Sequence, residues 1–372
     1  MSAHIEPYAG SGHALPSADR LRAILQAGIR APSAENRHWL RFEVGDTGVD
    51  LVATDTAVWA EQPHRRWLDL LAHGAVVENM SLRAATCALA QRTHWFPQAE
   101  RPDLVARCRW VPSGVPLDPL ADAIVKRHTN RRFYRRQPVD AAARLAMADA
   151  VAVIPGARLQ WLDDAPLRAA ALHAIRIAET ERFRRPALHA ELFAAVRFEL
   201  GWSASAEEGL PPGALEVEPP MRLPFAALRR WSLMRAASAA GMHHVLGLRA
   251  AWLPCRLAPH LALVCCDVDD DSLRAVHAGR ALQRAWLCAT AAGLAFQPMA
   301  AATALVRQQA GSAWSSPATQ SRLQRCLDQL TGSQAGHAQM LFRIGHAQPP
   351  SVVTSRPSLE RFIALPGTLQ KP

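Results

Sequence analysis

Two stretches of equal length limit most tightly what this chain can fold into. HGAVVENMSLRAATCALA (73–90) lies over AGRALQRAWLCATAAGLA (278–295), with Gly74 on Gly279, Leu82 on Leu287 and Ala84 on Ala289. Two alanine-rich helices can match by chance, but here the contexts match as well. The first copy follows a hairpin pattern, WLRFEVGDTGVDLVAT (39–54), and the second follows a buried-strand pattern, HLALVCCDV (260–268). Self-similarity in matching contexts points to a duplicated structural unit, here two half-domains within one chain.

The remaining pattern fits an α+β chain. PSADRLRAILQAGIRA (16–31) carries Leu21, Ile24, Leu25 and Ile29 on one helical face, with Ser17 or Asp19 as cap. The spacing predicts a long helix near 65–91, a short strand at 107–113, and helices near 116–127 and 139–151. The second half begins with a strand at 157–164 and helices near 165–183 and 187–199. WSASAEEGLPPGALEVEPPMRLP (202–224), rich in Pro, Gly and Glu, reads as an excursion over the surface, a loop or lid. A helix near 224–240, a helix at 271–292, a helix at 317–331 and a strand at 337–347 follow, and 349–363 reads as an extended tail ending in a short helix. There is no repeating βαβ array and no G-x-G-x-x-G, which speaks against a dinucleotide-binding parallel sheet.

At 372 residues the chain can form two ordinary domains or one large one. Its 42 basic against 32 acidic residues leave a net charge of +10. All the basic residues but Lys126 and Lys371 are arginine, mostly interspersed with Asp and Glu, so discrete anion pockets are expected and a nucleic-acid partner is not. No apolar run reaches the ~18–20 residues of a bilayer span, and no membrane partner is expected. The first twenty residues lack a basic start followed by an apolar stretch, so the expected location is the cytoplasm. The seven cysteines form no C-x-x-C pair and no zinc-type cluster, so reduced buried thiols and no metal are expected.

VKRHTNRRFYRR (125–136) is the densest basic run. Thr129, Asn130, Phe133 and Tyr134 interrupt it, which bare charge for DNA would not need. A nucleic-acid arm remains a third reading, one that predicts steep salt dependence.

Four segments together carry a resemblance to a known family. RAPSAENRHWLRFEV (30–44) resembles the nitroreductase motif in which A-P-S-x-x-N precedes Q-P-W and a strand. KRHTNRRF (126–133) resembles that family's flavin-phosphate motif, GRALQRAWLCATAAGLAFQPM (279–299) its central helix and following loop, and FRIGHAQPP (342–350) with Arg356 its closing strand and phosphate arginine. In ordinary nitroreductases the phosphate motif comes first. The inverted order over about 90 residues resembles the twin-nitroreductase (Acg-like) subgroup, in which one chain imitates the usual homodimer, and ALHAELF (187–193) with EEGLP (207–211) is similar to that subgroup's middle.

The resemblance implies a nitroreductase-like α+β fold, with two fused half-domains forming an intrachain pseudo-dimer and mixed or antiparallel sheets flanked by helices. It implies a first half at 14–125 supplying A-P-S-x-x-N, a second at 126–363 carrying the phosphate motif and a lid-like insert at about 202–224, and a tail at 364–372. It implies one FMN per chain, with NAD(P)H as electron donor and a small electron-poor substrate. An FMN-sequestering or carrier protein with little reductase activity is the alternative, and monomer and homodimer both stay open. The implied flavin residues are Arg127, Arg131 and Arg356 for the phosphate, with His128 and Thr129 beside them. Pro32, Ser33 and Asn36 would come from the other half, and Gln297, Pro298 and Met299 would present backbone donors or apolar contact to the ring. No catalytic residue is implied, because the cofactor carries the chemistry. Arg37-His38 replaces the usual Gln-Pro, and Ala300-Ala301 stands where an acidic residue often follows.

Overall fold

The computed structural model describes residues 15–114, 116–308, 311–332 and 337–364. The first half runs α1 (Ala18–Gly28), β1 (Leu40–Val44), β2 (Val49–Ala53), α2 (Pro63–Thr86), β3 (Leu89–Trp95) and β4 (Leu104–Pro112). The second runs α3 (Ala141–Ala152) and β5 (Ala157–Trp161), then a helical insertion of α4 (Ala165–Arg184), α5 (Pro186–Ala195), α6 (Arg222–Ala227), α7 (Trp231–Ala239), α8 (Met242–Gly247) and α9 (Leu253–Leu257). It continues with β6 (His260–Cys266), α10 (Asp271–Ala291), β7 (Ala295–Met299), α11 (Ala301–Leu305), α12 (Pro317–Thr331), β8 (Ala338–Gly345) and β9 (Ile363–Ala364).

Two sheets result, in the order β3-β4-β2-β1-β9 and β5-β6-β8-β7. Replacing β3, β4, β2 and β1 by β7, β8, β6 and β5 turns the first order into the second, read from its other end. Both sheets carry an irregularity in the equivalent pairing, between Leu51 and Val52 on β2 and between Val264 and Cys265 on β6. β9 pairs parallel with β1, so the chain's last strand closes the first half's sheet and makes it mixed, while the second is antiparallel.

The repeated helices α2 and α10 pack against each other, and the matched glycines set their distance. A Cβ on Gly74 would stand 2.0 Å from the Val276 carbonyl oxygen, and one on Gly279 would stand 2.0 Å from that of Leu71. Each of these contacts becomes the other when 205 is added to one number and subtracted from the other. The polar contacts obey the same rule. Gln283 donates to Asn79 Oδ1 (2.7 Å), and Arg284 donates to Glu78 Oε1 (2.7 Å). A local two-fold axis therefore passes between the helices, as it would through a homodimer.

Several local expectations change. The stretch at 116–127 forms only a 3₁₀ turn, Pro119–Ala123, with Asp118 accepting from Leu120 N. The helix near 224–240 breaks between α6 and α7, where the Leu228 carbonyl bonds to the His189 ring. The loop after α10 is largely strand β7, and β3, α8 and α9 add elements the pattern did not show. The 202–224 segment is a surface excursion only in part: Ala206 and Gly209–Ala214 are buried, while 203–205, 207, 218–221, 223 and 224 are exposed. Apart from Ala364, the expected tail lies outside the described residues. All seven cysteines are free and five are buried. No described helix is long and apolar enough to cross a membrane.

Candidate functional site

One cavity of about 580 Å³ gathers residues from both halves. Pro32, Ser33, Asn36, Arg127, His128, Thr129, Arg131, Gln297, Pro298, Met299 and Arg356 all line it, although they lie as far as 324 positions apart in sequence. α2 contributes Leu68, Leu71, Ala72 and Ala75, and α10 contributes Leu282 and Trp286. The insertion between β5 and β6 supplies most of the remaining wall, largely apolar.

The basic run is held in place by backbone. Asn130 N donates to the Phe296 carbonyl on β7 (3.0 Å), and Arg135 N donates to that of His346 (2.8 Å). Asn130 is buried, sends Nδ2 to the Gln348 carbonyl and accepts from Arg132 N through Oδ1. This pinning turns Arg127 and Arg131 inward and leaves Arg135 and Arg136 exposed. Arg132 bonds Ser351 Oγ (2.8 Å) and lies 3.6 Å from Glu216, with 39% of its side chain exposed.

Arg127, Arg131 and Arg356, each half-buried, face the cavity with no ion pair among the described residues, as does Arg37 beside the APSAEN turn. Arg127 lies 4.4 Å over the Trp286 ring and donates once, to the Arg30 carbonyl (3.2 Å), while its Nε is buried without a partner. Burial, then the nearby Arg356, holds its pKa well below the usual arginine range. Burial, then Arg182, pushes Arg131 down to about 10. Burial, then Arg30, does the same to Arg356, which donates to the carbonyls of Ile29 (3.1 Å) and Ala31 (3.0 Å) and to Asn36 Oδ1. Positive charges partly withdrawn from water without a counter-ion are costly, so this corner favours an anion with several oxygens.

Asn36 is a junction more than a free donor. Its Nδ2 points at the carbonyls of Ala206 (3.2 Å), Glu207 (3.1 Å) and Gly209 (3.1 Å). It therefore pins the insert segment to the APSAEN turn, where Glu35 and Asn36 both adopt left-handed φ, 55° and 57°. Ser33 Oγ lies 3.3 Å from His38 Nδ1, and burial, then Arg356, lowers His38 to about 3, so its ring is neutral.

The expected backbone donors at 297–299 are not there. The Phe296 carbonyl faces Asn130, so Phe296 and Pro298 turn to the open edge of β7 while Gln297 and Met299 turn to β8. Pro298 has no N–H to offer. The Gln297 side chain accepts from the fully buried Arg343 (2.7 Å).

Sequence reasoning missed a second polar group in the same cavity. Glu35 Oε1 stands 4.0 Å from Arg182, and Glu191 stands 3.4 Å from His64. Burial, then the charge of Glu191, raises Glu35 to about 7. The signal available was Glu35 itself, inside APSAEN. Trp286 was also missed, although it is the one aromatic residue in the repeated helix pair 73–90 and 278–295.

The related position across the local axis is filled. Ala72 and Ala75, which line the cavity, correspond to His277 and Arg280. His277 bonds the Pro155 carbonyl (3.0 Å) and meets Trp95 edge-on, and Arg280 is paired with Glu78 (2.8 Å).

No family model matches the chain. Among solved structures, the FMN-dependent nitroreductase NfnB from Mycobacterium smegmatis in complex with NADPH aligns with a TM-score of 0.36 at 19% identity, over 66% of this chain and 97% of that one. A nitroreductase with bound FMN from Desulfitobacterium hafniense aligns with a TM-score of 0.36 at 13% identity, over 67% and 100%. Superpositions this loose carry no argument about chemistry. Two Mycobacterium tuberculosis proteins, from strains CDC 1551 and H37Rv and named for NAD(P)H nitroreductase activity, are each 31% identical over 132 residues. The match takes in 33% of this chain and spans 37% of the length of those relatives. Over that third of its length the chain is similar to the nitroreductase superfamily.

Proposed function

We propose that this chain binds one FMN in the cavity between its halves and acts as an oxidoreductase of the nitroreductase type. One observation carries the reading: the half-buried guanidinium groups of Arg127, Arg131 and Arg356 face a cavity without a carboxylate partner. A flavin phosphate suits them in charge and in number of acceptor oxygens, and the orphaned Arg127 Nε is a donor ready for it. Arg127 and Arg131 would hold that phosphate, with Arg356 adding charge behind them and His128 and Thr129 beside them. Trp286 and the apolar α2 face would pack against the ring system. Bound there, FMN would supply hydride transfer from NAD(P)H to a small electron-poor substrate. Glu35, raised to about 7, would hold a proton in the cavity wall near neutral pH.

The reading places the first half at 14–125 and the second at 126–363. The sheet equivalence supports two halves, and the bonds from Asn130 and Arg135 to β7 and to His346 beyond β8 support giving the basic run to the second. With His277 and Arg280 filling the related position, one flavin per chain follows. The order of motifs supports the twin-nitroreductase subgroup.

The FMN-carrier reading has its own support. The insert segment is bonded in place by Asn36 and forms cavity wall through Ala214–Glu218, which would restrict access by a nicotinamide. Rapid mixing of the purified protein with NADH or NADPH separates the two readings. Bleaching of the flavin absorbance supports the oxidoreductase, a yellow protein that does not bleach supports the carrier, and a protein that stays colourless after FMN addition defeats both.

A further inference from the structure

The cavity's apolar rim also carries charge of one sign. Residues 219–259, spanning α6 to α9, contain Arg222, Arg229, Arg230, Arg235, Arg249 and Arg256 and no Asp or Glu. Arg249 is paired with Glu218; the other five have no ion pair among the described residues. The bordering acids are already engaged: Glu181 with Arg184 and Arg185, Glu199 with Arg197, Glu216 with Arg132.

The same stretch exposes large apolar side chains. Leu223 is 83% exposed, Val245 60%, Met221 50% and Leu233 44%, with Leu248 beside them. Met221 and Val245 also line the cavity, so it opens between α6 and α8 onto this surface. The facing sides of these elements are apolar too, with Phe225, Leu228, Met242 and Leu246 lining the cavity. Trp231 and Trp252 are half-buried in the same layer. Short helices with exposed leucines, half-buried tryptophans and unpaired arginines have the composition of segments that lie in a lipid interface.

We propose that the 219–259 surface docks on an anionic lipid bilayer, placing the cavity mouth against the membrane. This departs from the expectation of no membrane partner, which rested on the length needed to span a bilayer; lying on one needs no such length. Charge selects the occupant, because a neutral apolar partner would leave five unpaired arginines uncompensated whereas anionic headgroups neutralise them. In that position an apolar substrate dissolved in the lipid reaches the cavity without crossing water. The inference rests on the surface and does not depend on flavin chemistry.

The test is co-sedimentation of the full chain with vesicles of equal parts phosphatidylglycerol and phosphatidylcholine, compared with phosphatidylcholine alone. Binding is expected to the anionic vesicles and to weaken with salt. Arg230→Glu with Arg235→Glu should lower the partition coefficient by at least about tenfold, and Leu223→Ser with Leu233→Ser should lower it severalfold. None of these four side chains lines the cavity, so the melting curve and any bound flavin should stay as in the parent. Arg322→Glu with Arg325→Glu on α12 changes net charge equally and should leave binding as it was. No sedimentation at low salt overturns the proposal. So does an equal loss from the α12 pair, which would mean that overall charge drives the attraction. Light scattering that shows a dimer dissociated by the leucine variants, with no vesicle binding, would assign this face to a second copy of the chain.

Discussion

The two sides of the α2–α10 pair are related by the local two-fold axis and hold opposite contents. On one side Ala72 and Ala75 leave room, and Arg127, Arg131 and Arg356 face that room without carboxylates. On the other, His277 and Arg280 stand at the corresponding positions, and the arginine is neutralised by Glu78. The connections differ in the same sense. β1 and β2 are joined by a short turn, whereas β5 and β6 are separated by the whole α4–α9 insertion that walls the cavity. Two-fold packing thus survives where it sets the helix distance and is lost where a second ligand site would stand. A duplicated chain, unlike a homodimer, can change one copy at a time.

Moving the filled side's residues to the open side should have the largest effect. Ala75→Arg together with Ala72→His should abolish flavin occupancy, read from the visible absorbance of the purified protein, while the melting temperature shows that the fold persists. Full occupancy would break the comparison. The reverse exchange, His277→Ala with Arg280→Ala, should not create a second site, because no arginine trio faces it; a titration reaching two flavins per chain would contradict this.

Removing one phosphate donor comes next. Arg127→Ala or Arg131→Ala should each weaken FMN binding roughly 10- to 100-fold, the size of a lost charge-assisted hydrogen bond. Fluorescence titration of FMN measures it, and unchanged affinity in both variants would remove the arginine trio as the phosphate site.

The shared axis can be tested without any ligand. Gly74→Ala and Gly279→Ala should each cost about 3 kcal/mol or more in chemical denaturation, because the new methyl meets a backbone carbonyl that only helix separation can relieve. Two costs that agree within about 1 kcal/mol would support the two-fold relation, since additivity errors are about half that size. A cost at one glycine alone would refute it.

The effect confined to a pH window concerns Glu35. Its folded pKa of about 7 is above the ordinary 4.5, so its contribution to stability is fully present below 4.5 and is lost as pH rises to about 7. Glu35→Gln removes that dependence. Relative to the parent protein, the variant should gain stability between pH 4.5 and pH 8, by up to about 3 kcal/mol. A difference that stays flat across this range would show that Glu35 is ionised throughout.

Much of the fold was legible in advance, and for definite reasons. Helix α12 has Ser316 accepting from Thr319 N at its start and Gly332 in a left-handed conformation at its end, and its predicted span, 317–331, is the observed one. After His260, β6 is an unbroken apolar run, as a strand buried on both faces must be. β7 was read as loop from the family resemblance of 279–299, and only the pairing to β8 makes it an edge strand that tolerates Pro298. The 202–224 segment has the composition of a surface loop. Its middle is held inward because Asn36, more than 160 positions earlier, donates to the carbonyls of Ala206, Glu207 and Gly209.

By itself the sequence determined the repeat, the α+β content and the grouping of basic residues in one mid-chain run, since these follow from local periodicity, caps and identity. Tertiary structure alone decided which of those arginines lost solvent and counter-ion together, which side of the paired helices stayed open, and that Glu35 stands near Glu191. Burial and proximity are properties of chain segments brought together from far apart. The free energy of a charge depends on both, and neither is written at the position of the residue that bears it.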